Sequence, residues 1–102
     1  MQGVTDNEEA VLVAPERLVS ATRGEFRTAA LRHLDQLGAD AGVIVIDMGQ
    51  TVELDASGLG ILVLIQKRAK DRQLSTRLRR TPERVRNLLK LTMLDFLFEL
   101  TD

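Results

Sequence analysis

Apolar residues recur along this chain with two different spacings, and the longer spacing indicates helices. Phe26, Ala30 and Leu34 follow one another at intervals of four residues, with charged residues between them, as in an amphipathic helix. Two later stretches carry the same kind of stripe. The pattern predicts helices near residues 20–37, 58–72 and 82–91. The last of them is preceded by Thr81, which we expect to act as its cap.

The shorter apolar stretches between these helices have the pattern of β-strands. Residues 43–48 form a β-branched apolar run interrupted only by Asp47, as expected for a central strand that is covered on both faces. Residues 74–79 alternate between apolar and polar, which favours a half-exposed strand. The apolar run at 10–14 and the alternation over 94–100 predict a first strand and a final edge strand.

Strands that alternate with helices predict a single α/β domain. We expect a mixed sheet of about four strands with right-handed crossovers, packed on one face by the three helices. The 102 residues suffice for one domain, predicted over residues 4–102, and the polar segment 1–9 is expected to be mobile. The predicted core consists of Leu12, Phe26, Leu34, Val43, Val45, Ile61, Leu62, Ile65, Leu78, Val85 and Leu88.

Composition excludes several classes of function. The chain has no cysteine, so it has no disulfide or thiolate site, and a histidine-based site has only His33 to draw on. Residues 66–90 carry a net charge of +8, and the rest of the chain carries −9. A basic segment that binds nucleic acid usually also contains aromatic side chains that stack on bases, but none of the three phenylalanines lies within residues 66–90. Nucleic acid is therefore not expected as a partner. The amino terminus is polar and acidic, and the longest apolar run is too short to span a membrane. We therefore expect a cytoplasmic protein without membrane insertion.

A polar junction interrupts the apolar pattern where the central strand gives way to the second helix, at residues 55–60 (DASGLG). Ser57 at the start of a helix can act as an N-cap, with Asp55 as a second acceptor at the positive end of the helix dipole. When a serine on such a turn is a nucleophile, a glycine stands two residues before it, but this chain has Asp55 at that position. A dinucleotide-binding loop would have its third glycine at the position of Val63. We therefore predict no enzyme, no cofactor and no metal.

A third interpretation gives Ser57 a regulatory function. A phosphate on a hydroxyl at a helix start can be held by free backbone N–H groups, and it changes the surface charge by about two units. The helix that follows is more apolar than one buried face requires, so that Leu59 and Val63 can form part of a docking surface. A hydroxyl beside an apolar patch is typical of a protein interaction that phosphorylation controls.

The two segments on either side of this junction resemble the STAS domains of bacterial anti-sigma-factor antagonists. In that family an apolar strand ending in aspartate, here residues 43–48, precedes a short connector and then Asp-Ser/Ala-Ser-Gly-Leu-Gly at the start of a helix, here residues 55–60. The order of the other segments, from Val11 to the closing stretch 91–98, is also similar. The early turn at 16–19 departs from the family pattern, because Glu16 and Val19 stand where glycine and aspartate are usual.

The resemblance implies a switch that binds proteins. The serine that matches Ser57 would be phosphorylated by a serine protein kinase that is also an anti-sigma factor, and the unphosphorylated form would bind that kinase and free the sigma factor. The residues implied to support the motif are Asp47, Asp55 and Gly58. The surface that docks the partner is expected to comprise Thr51, Ala56, Leu59 and Val63. The alternative is an accessory subunit of a bacterial membrane transporter of the lipid-transport ATPase type, which would dock the ATPase subunit. Neither alternative predicts an oligomeric state.

Overall fold

The computed structural model of the protein describes residues 11–38 and 40–102, so the predicted mobile segment 1–9 lies outside the described residues. The helices and strands are β1 (Val11–Val13), β2 (Arg17–Leu18), α1 (Arg23–Gln36), β3 (Val43–Asp47), β4 (Glu53–Leu54), α2 (Ala56–Asp71), β5 (Ser75–Arg79), α3 (Glu83–Leu91) and β6 (Glu99–Thr101). One turn of 3₁₀ helix, Asp95–Leu97, precedes the last strand. The helix bounds lie within three residues of those predicted. Within the two described ranges no helix has the length and hydropathy needed to cross a membrane.

Four of the strands form the main sheet, in the order β1-β3-β5-β6. Each strand of this sheet therefore pairs with the next one along the chain, and right-handed crossovers place all three helices on the same face. The single α/β domain and the number of strands in its main sheet are as predicted. The last strand differs from the prediction over 94–100, because Asp95–Leu97 form the 3₁₀ turn and β6 begins only at Glu99. The sheet differs from the expected mixed arrangement in one respect, because every pairing among its described strands is parallel.

Side chains of the main sheet alternate between a covered face and an open face. Ile44, Ile46 and Leu78 are fully buried beneath the helices. Val43 and Val45 belong to the opposite face and are only half-buried. The predictions that β3 is covered on both faces and that these two valines lie in the core are therefore wrong.

Helix α3 packs on the sheet through Val85 and Leu89, whereas Leu88, which was predicted in the core, is half-buried. The other eight predicted core residues are buried. The predicted cap of this helix is wrong as well, because Pro82 holds the N-cap position and no side chain caps the helix. Thr81 stands one residue too early, and its buried hydroxyl has no hydrogen-bond partner among the described residues.

A second, two-stranded sheet pairs β2 with β4 in parallel. Arg17 pairs with Glu53 and Leu18 with Leu54, and the Arg17 Nε also donates to Glu53 Oε1 at 2.8 Å. Sequence patterns do not predict this sheet, since each of its strands is only two residues long. The two-stranded sheet holds the connection between β1 and α1 against the segment that leads into α2.

Candidate docking site at the start of helix α2

Asp55 is the residue that caps helix α2. Its backbone is extended, and its side-chain Oδ1 accepts a hydrogen bond from the backbone N–H of Gly58 at 2.9 Å. The Oδ2 atom accepts from the backbone N–H of Ser20 at 3.1 Å. The hydrogen bond from Gly58 is the main cause that lowers the pKa of Asp55. Burial opposes this lowering, and the N–H groups of Ser20 and Ser57 add to it. The carboxylate is therefore ionised at neutral pH, and it ties the start of α2 to the connection before α1.

Ser57 lies one residue inside the helix and is not the N-cap that the sequence allowed for it. Asp55 takes that position, because its side chain points back at the free N–H groups of the first turn. Ser57 is half-buried, and its hydroxyl makes no hydrogen bond with any residue that the structure describes. The fold thus leaves the hydroxyl available for other chemistry.

The two glycines of the junction have different functions. A Cβ atom built on Gly58 would lie 2.0 Å from the backbone oxygen of Leu18 and 2.8 Å from the Cδ1 atom of Leu54. Gly58 therefore permits helix α2 to lie directly against the two-stranded sheet. A Cβ atom on Gly60 would meet nothing within 4 Å, so no contact inside the described chain requires glycine there.

The outer side of the first two turns of α2 carries small and apolar residues. Ala56 and Gly60 are exposed and Val63 is half-buried. Their spacing of four and three residues places them on one face of the helix, and we call these three residues the docking face. Leu59 is half-buried and packs partly against the core, so that it contributes only an edge to this surface.

Thr51 does not belong to the exposed surface on which the sequence analysis placed it. It is only 2% exposed, and its hydroxyl donates to the backbone oxygen of Pro15 at 2.9 Å. The hydroxyl thus pairs with the connection between β1 and β2 and cannot reach a partner. The adjacent Val52 is 60% exposed instead, although no sequence pattern singled it out.

Asp47 holds the turn that follows β3. Its side chain is 4% exposed; it accepts from the backbone N–H of Gly49 at 2.8 Å and from Arg79 Nη2 at 2.8 Å. Arg80 donates to the same carboxylate at 3.2 Å. Burial alone would raise the pKa of Asp47, but the hydrogen bonds from Arg79, Gly49 and Arg80 outweigh it and hold the pKa below its ordinary value. This buried charge is therefore fully paired.

Two features of this site could not be found from the sequence. The backbone of Ser20, which Asp55 binds, is 35 residues away along the chain, and the exposure of Val52 depends on the pairing of β2 with β4.

Within residues 11–38 and 40–102 no three side chains of histidine, cysteine, aspartate or glutamate are grouped so that they could hold a metal ion. The chemistry that the site offers is therefore a free hydroxyl beside an exposed helix face.

Comparison with protein families and comparison with solved structures both find matches. A family model described as "Mlab, STAS domain" matches residues 2–99. A crystal structure of a Thermotoga maritima protein, provisionally named an anti-sigma factor antagonist, superposes with a TM-score of 0.77 at 22% sequence identity, covering 92% of this chain and 80% of that one. At this identity the superposition shows the shared fold. The family match extends over nearly the whole chain and includes the junction, the docking face and strands β1, β3 and β5, so this chain belongs to the STAS domain family.

Proposed function

We propose that this protein is a protein-binding switch of the anti-sigma-factor-antagonist type, in which the docking face binds a partner and phosphorylation of Ser57 ends that binding. The observation that carries the proposal is the unused hydroxyl of Ser57. Asp55 supplies the cap that helix α2 needs, so the fold itself gives no reason for a serine at position 57. That hydroxyl belongs to the residue next to Ala56, at the border of the docking face.

The charge distribution supports release of the partner on phosphorylation. A phosphate on Ser57 would stand close to the ionised Asp55, which already occupies the N–H of Gly58. The helix dipole stabilises an anion at this end by roughly 0.3–1 kcal/mol. A charge that is buried unpaired in an interface costs several kcal/mol. Since the cost exceeds the gain, the phosphate weakens docking while the domain stays folded.

The chain is a substrate in this proposal and not an enzyme. ATP and the catalytic base belong to the partner, a serine protein kinase that is also an anti-sigma factor. The unphosphorylated chain occupies that kinase, and the sigma factor is released. The phosphorylated chain dissociates, and the kinase becomes free to bind the sigma factor again.

The test compares the wild-type protein with Ser57→Ala, Ser57→Asp and Ser20→Ala, each tagged and expressed in the host that carries the natural gene. Captured partners and phosphopeptides are identified by mass spectrometry, and affinity for the captured partner is measured by titration. Ser20→Ala is the matched control, because it removes an exposed hydroxyl but keeps the backbone N–H that Asp55 binds.

We expect phosphate on Ser57 in the wild type and in Ser20→Ala, and none in Ser57→Ala, which retains the partner. Ser57→Asp should bind the partner at least tenfold more weakly. A phosphate on another residue, or equal affinity of Ser57→Ala and Ser57→Asp, would contradict the proposal.

A second candidate function is that of an accessory subunit of a membrane transporter. The observation that favours it is the matching family model, which is described as Mlab and not as an anti-sigma antagonist. The same docking face would then hold an ATPase subunit of the transporter. The capture experiment separates the two functions, since this one predicts a stably bound ATPase subunit and an unphosphorylated Ser57.

A further inference from the structure

Three exposed apolar side chains lie close together along the chain, at the end of helix α3 and just after it. Leu91, Met93 and Phe96 are 81%, 75% and 78% exposed, and we call these three residues the apolar tip. Helices that return from the carboxyl edge of a parallel sheet end at its amino edge. The apolar tip therefore lies at the opposite end of the molecule from the start of helix α2, and it is separate from the docking face.

The backbone conformation at Met93 indicates that a single chain can fold without an apolar side chain at this position. Met93 follows the end of α3 in the left-handed conformation, with φ of 59°, and donates to the backbone oxygen of Lys90 at 3.0 Å. Gln73 holds the same position after α2, with φ of 63°. The end of each of these helices requires the left-handed conformation, for which glycine is best suited. A polar side chain such as that of Gln73 occupies this position as well as the apolar side chain of Met93 does.

Two charged residues of opposite sign accompany the apolar tip. Lys90 precedes it and Asp95 lies within it, and neither makes an ion pair with any residue in the described part of the chain. An anionic membrane surface would attract the lysine and repel the aspartate. A second copy of the same surface, related by a two-fold axis, presents an aspartate to each lysine and a lysine to each aspartate.

We propose that the apolar tip is the contact between two copies of this chain, with Lys90 of each copy beside Asp95 of the other. Three side chains that are about four-fifths exposed can bury roughly 400 Å² on each copy, or about 800 Å² in total. This area is below that of most specific interfaces and belongs to the range of weak, transient contacts, so the dimer depends on concentration, with a Kd in the micromolar range. The proposal does not depend on the function proposed for Ser57.

Analytical ultracentrifugation of the full chain, from about 5 µM to about 500 µM, tests this proposal. The wild type should shift from monomer to dimer over this range, and Phe96→Ser and Met93→Gln should each raise the Kd at least tenfold. Val52→Ser is the matched control, because it removes an exposed apolar side chain outside the tip, and it should leave the Kd unchanged. Far-UV circular dichroism confirms that each variant is folded.

A charge exchange tests the pairing itself. Lys90→Asp alone and Asp95→Lys alone should weaken the dimer at least fivefold, and the double variant should regain most of the affinity. A wild type that stays monomeric at every concentration overturns the proposal, as does a dimer that Phe96→Ser leaves intact. Failure of the double variant to regain affinity overturns the reciprocal pairing. Binding of a monomeric wild type to phosphatidylcholine–phosphatidylglycerol vesicles would assign the apolar tip to lipid instead.

Discussion

The substitution Gly58→Ala tests how the candidate site is built. The added Cβ would lie 2.0 Å from the backbone oxygen of Leu18, whereas carbon–oxygen contacts in proteins are at least about 3.3 Å. The helix or the two-stranded sheet must therefore move by more than about 1 Å, although Leu18 is held by its pairing with Leu54. Overpacking of this kind costs about 3 kcal/mol, which in a domain of this size lowers Tm by roughly 12–24 °C.

Gly60→Ala is the matched control, because it makes the same chemical change two residues further along the same helix. Its Cβ meets nothing within 4 Å, and alanine is favoured over glycine in a helix by about 0.8–1 kcal/mol. Thermal and urea unfolding, followed by circular dichroism, should therefore show opposite shifts for the two variants. If Gly58→Ala unfolds at the same temperature as Gly60→Ala, helix α2 does not lie against Leu18 and the geometry of the site is wrong.

Three further predictions concern stability. Asp47→Asn should lose about 1.5–3 kcal/mol at neutral pH, since it weakens the hydrogen bonds from Arg79 and Arg80 to a charged group. Because the pKa of Asp47 is lowered from 3.8 in the folded state, this contribution is present above pH 3.8 and is lost as the pH falls through the folded value, so urea titrations of wild type and Asp47→Asn should converge in acid. Thr76→Val removes a buried hydroxyl without a partner in the described chain and should stabilise the protein by about 1 kcal/mol in the same titration, whereas a destabilised variant would indicate a bound water. Gln73→Gly relieves the left-handed conformation after α2 and should raise Tm by about 4–8 °C, as read by calorimetry.

The helices were predictable from sequence because their apolar residues recur at a fixed spacing, which indicates the face of each helix that is buried. Phe26, Ala30 and Leu34 are buried at the predicted spacing. In the run that begins at Val43, four apolar residues follow one another before Asp47, so the pattern could not decide whether Ile44 or Val43 faces the core. Within residues 11–38 and 40–102 the helices pack on one face of the sheet only, and this arrangement makes one set buried and the other half-exposed.

The candidate site was predictable in its location but not in its details. Asp55 and Ser57 are both good N-cap residues, two positions apart, and the choice between them depends on where the extended backbone ends. Thr51 looks like a surface residue in the sequence, but the oxygen of Pro15 lies within its reach only after β2 pairs with β4. Such contacts join residues that are far apart along the chain, and local patterns carry no information about them.

The order of the strands in the main sheet has a consequence for how the chain assembles during synthesis. Each new strand of this sheet pairs with the strand made just before it, from β1 to β3, then to β5 and β6. Domains fold as the chain emerges from its amino-terminal end, and here β3, β5 and β6 each emerge when their first partner strand has already been made. When Arg79 has emerged, three of the four strands and both α1 and α2 can already be in place. The remaining segment then adds α3 and β6 to an existing edge, so that few apolar surfaces stay exposed on the nascent chain.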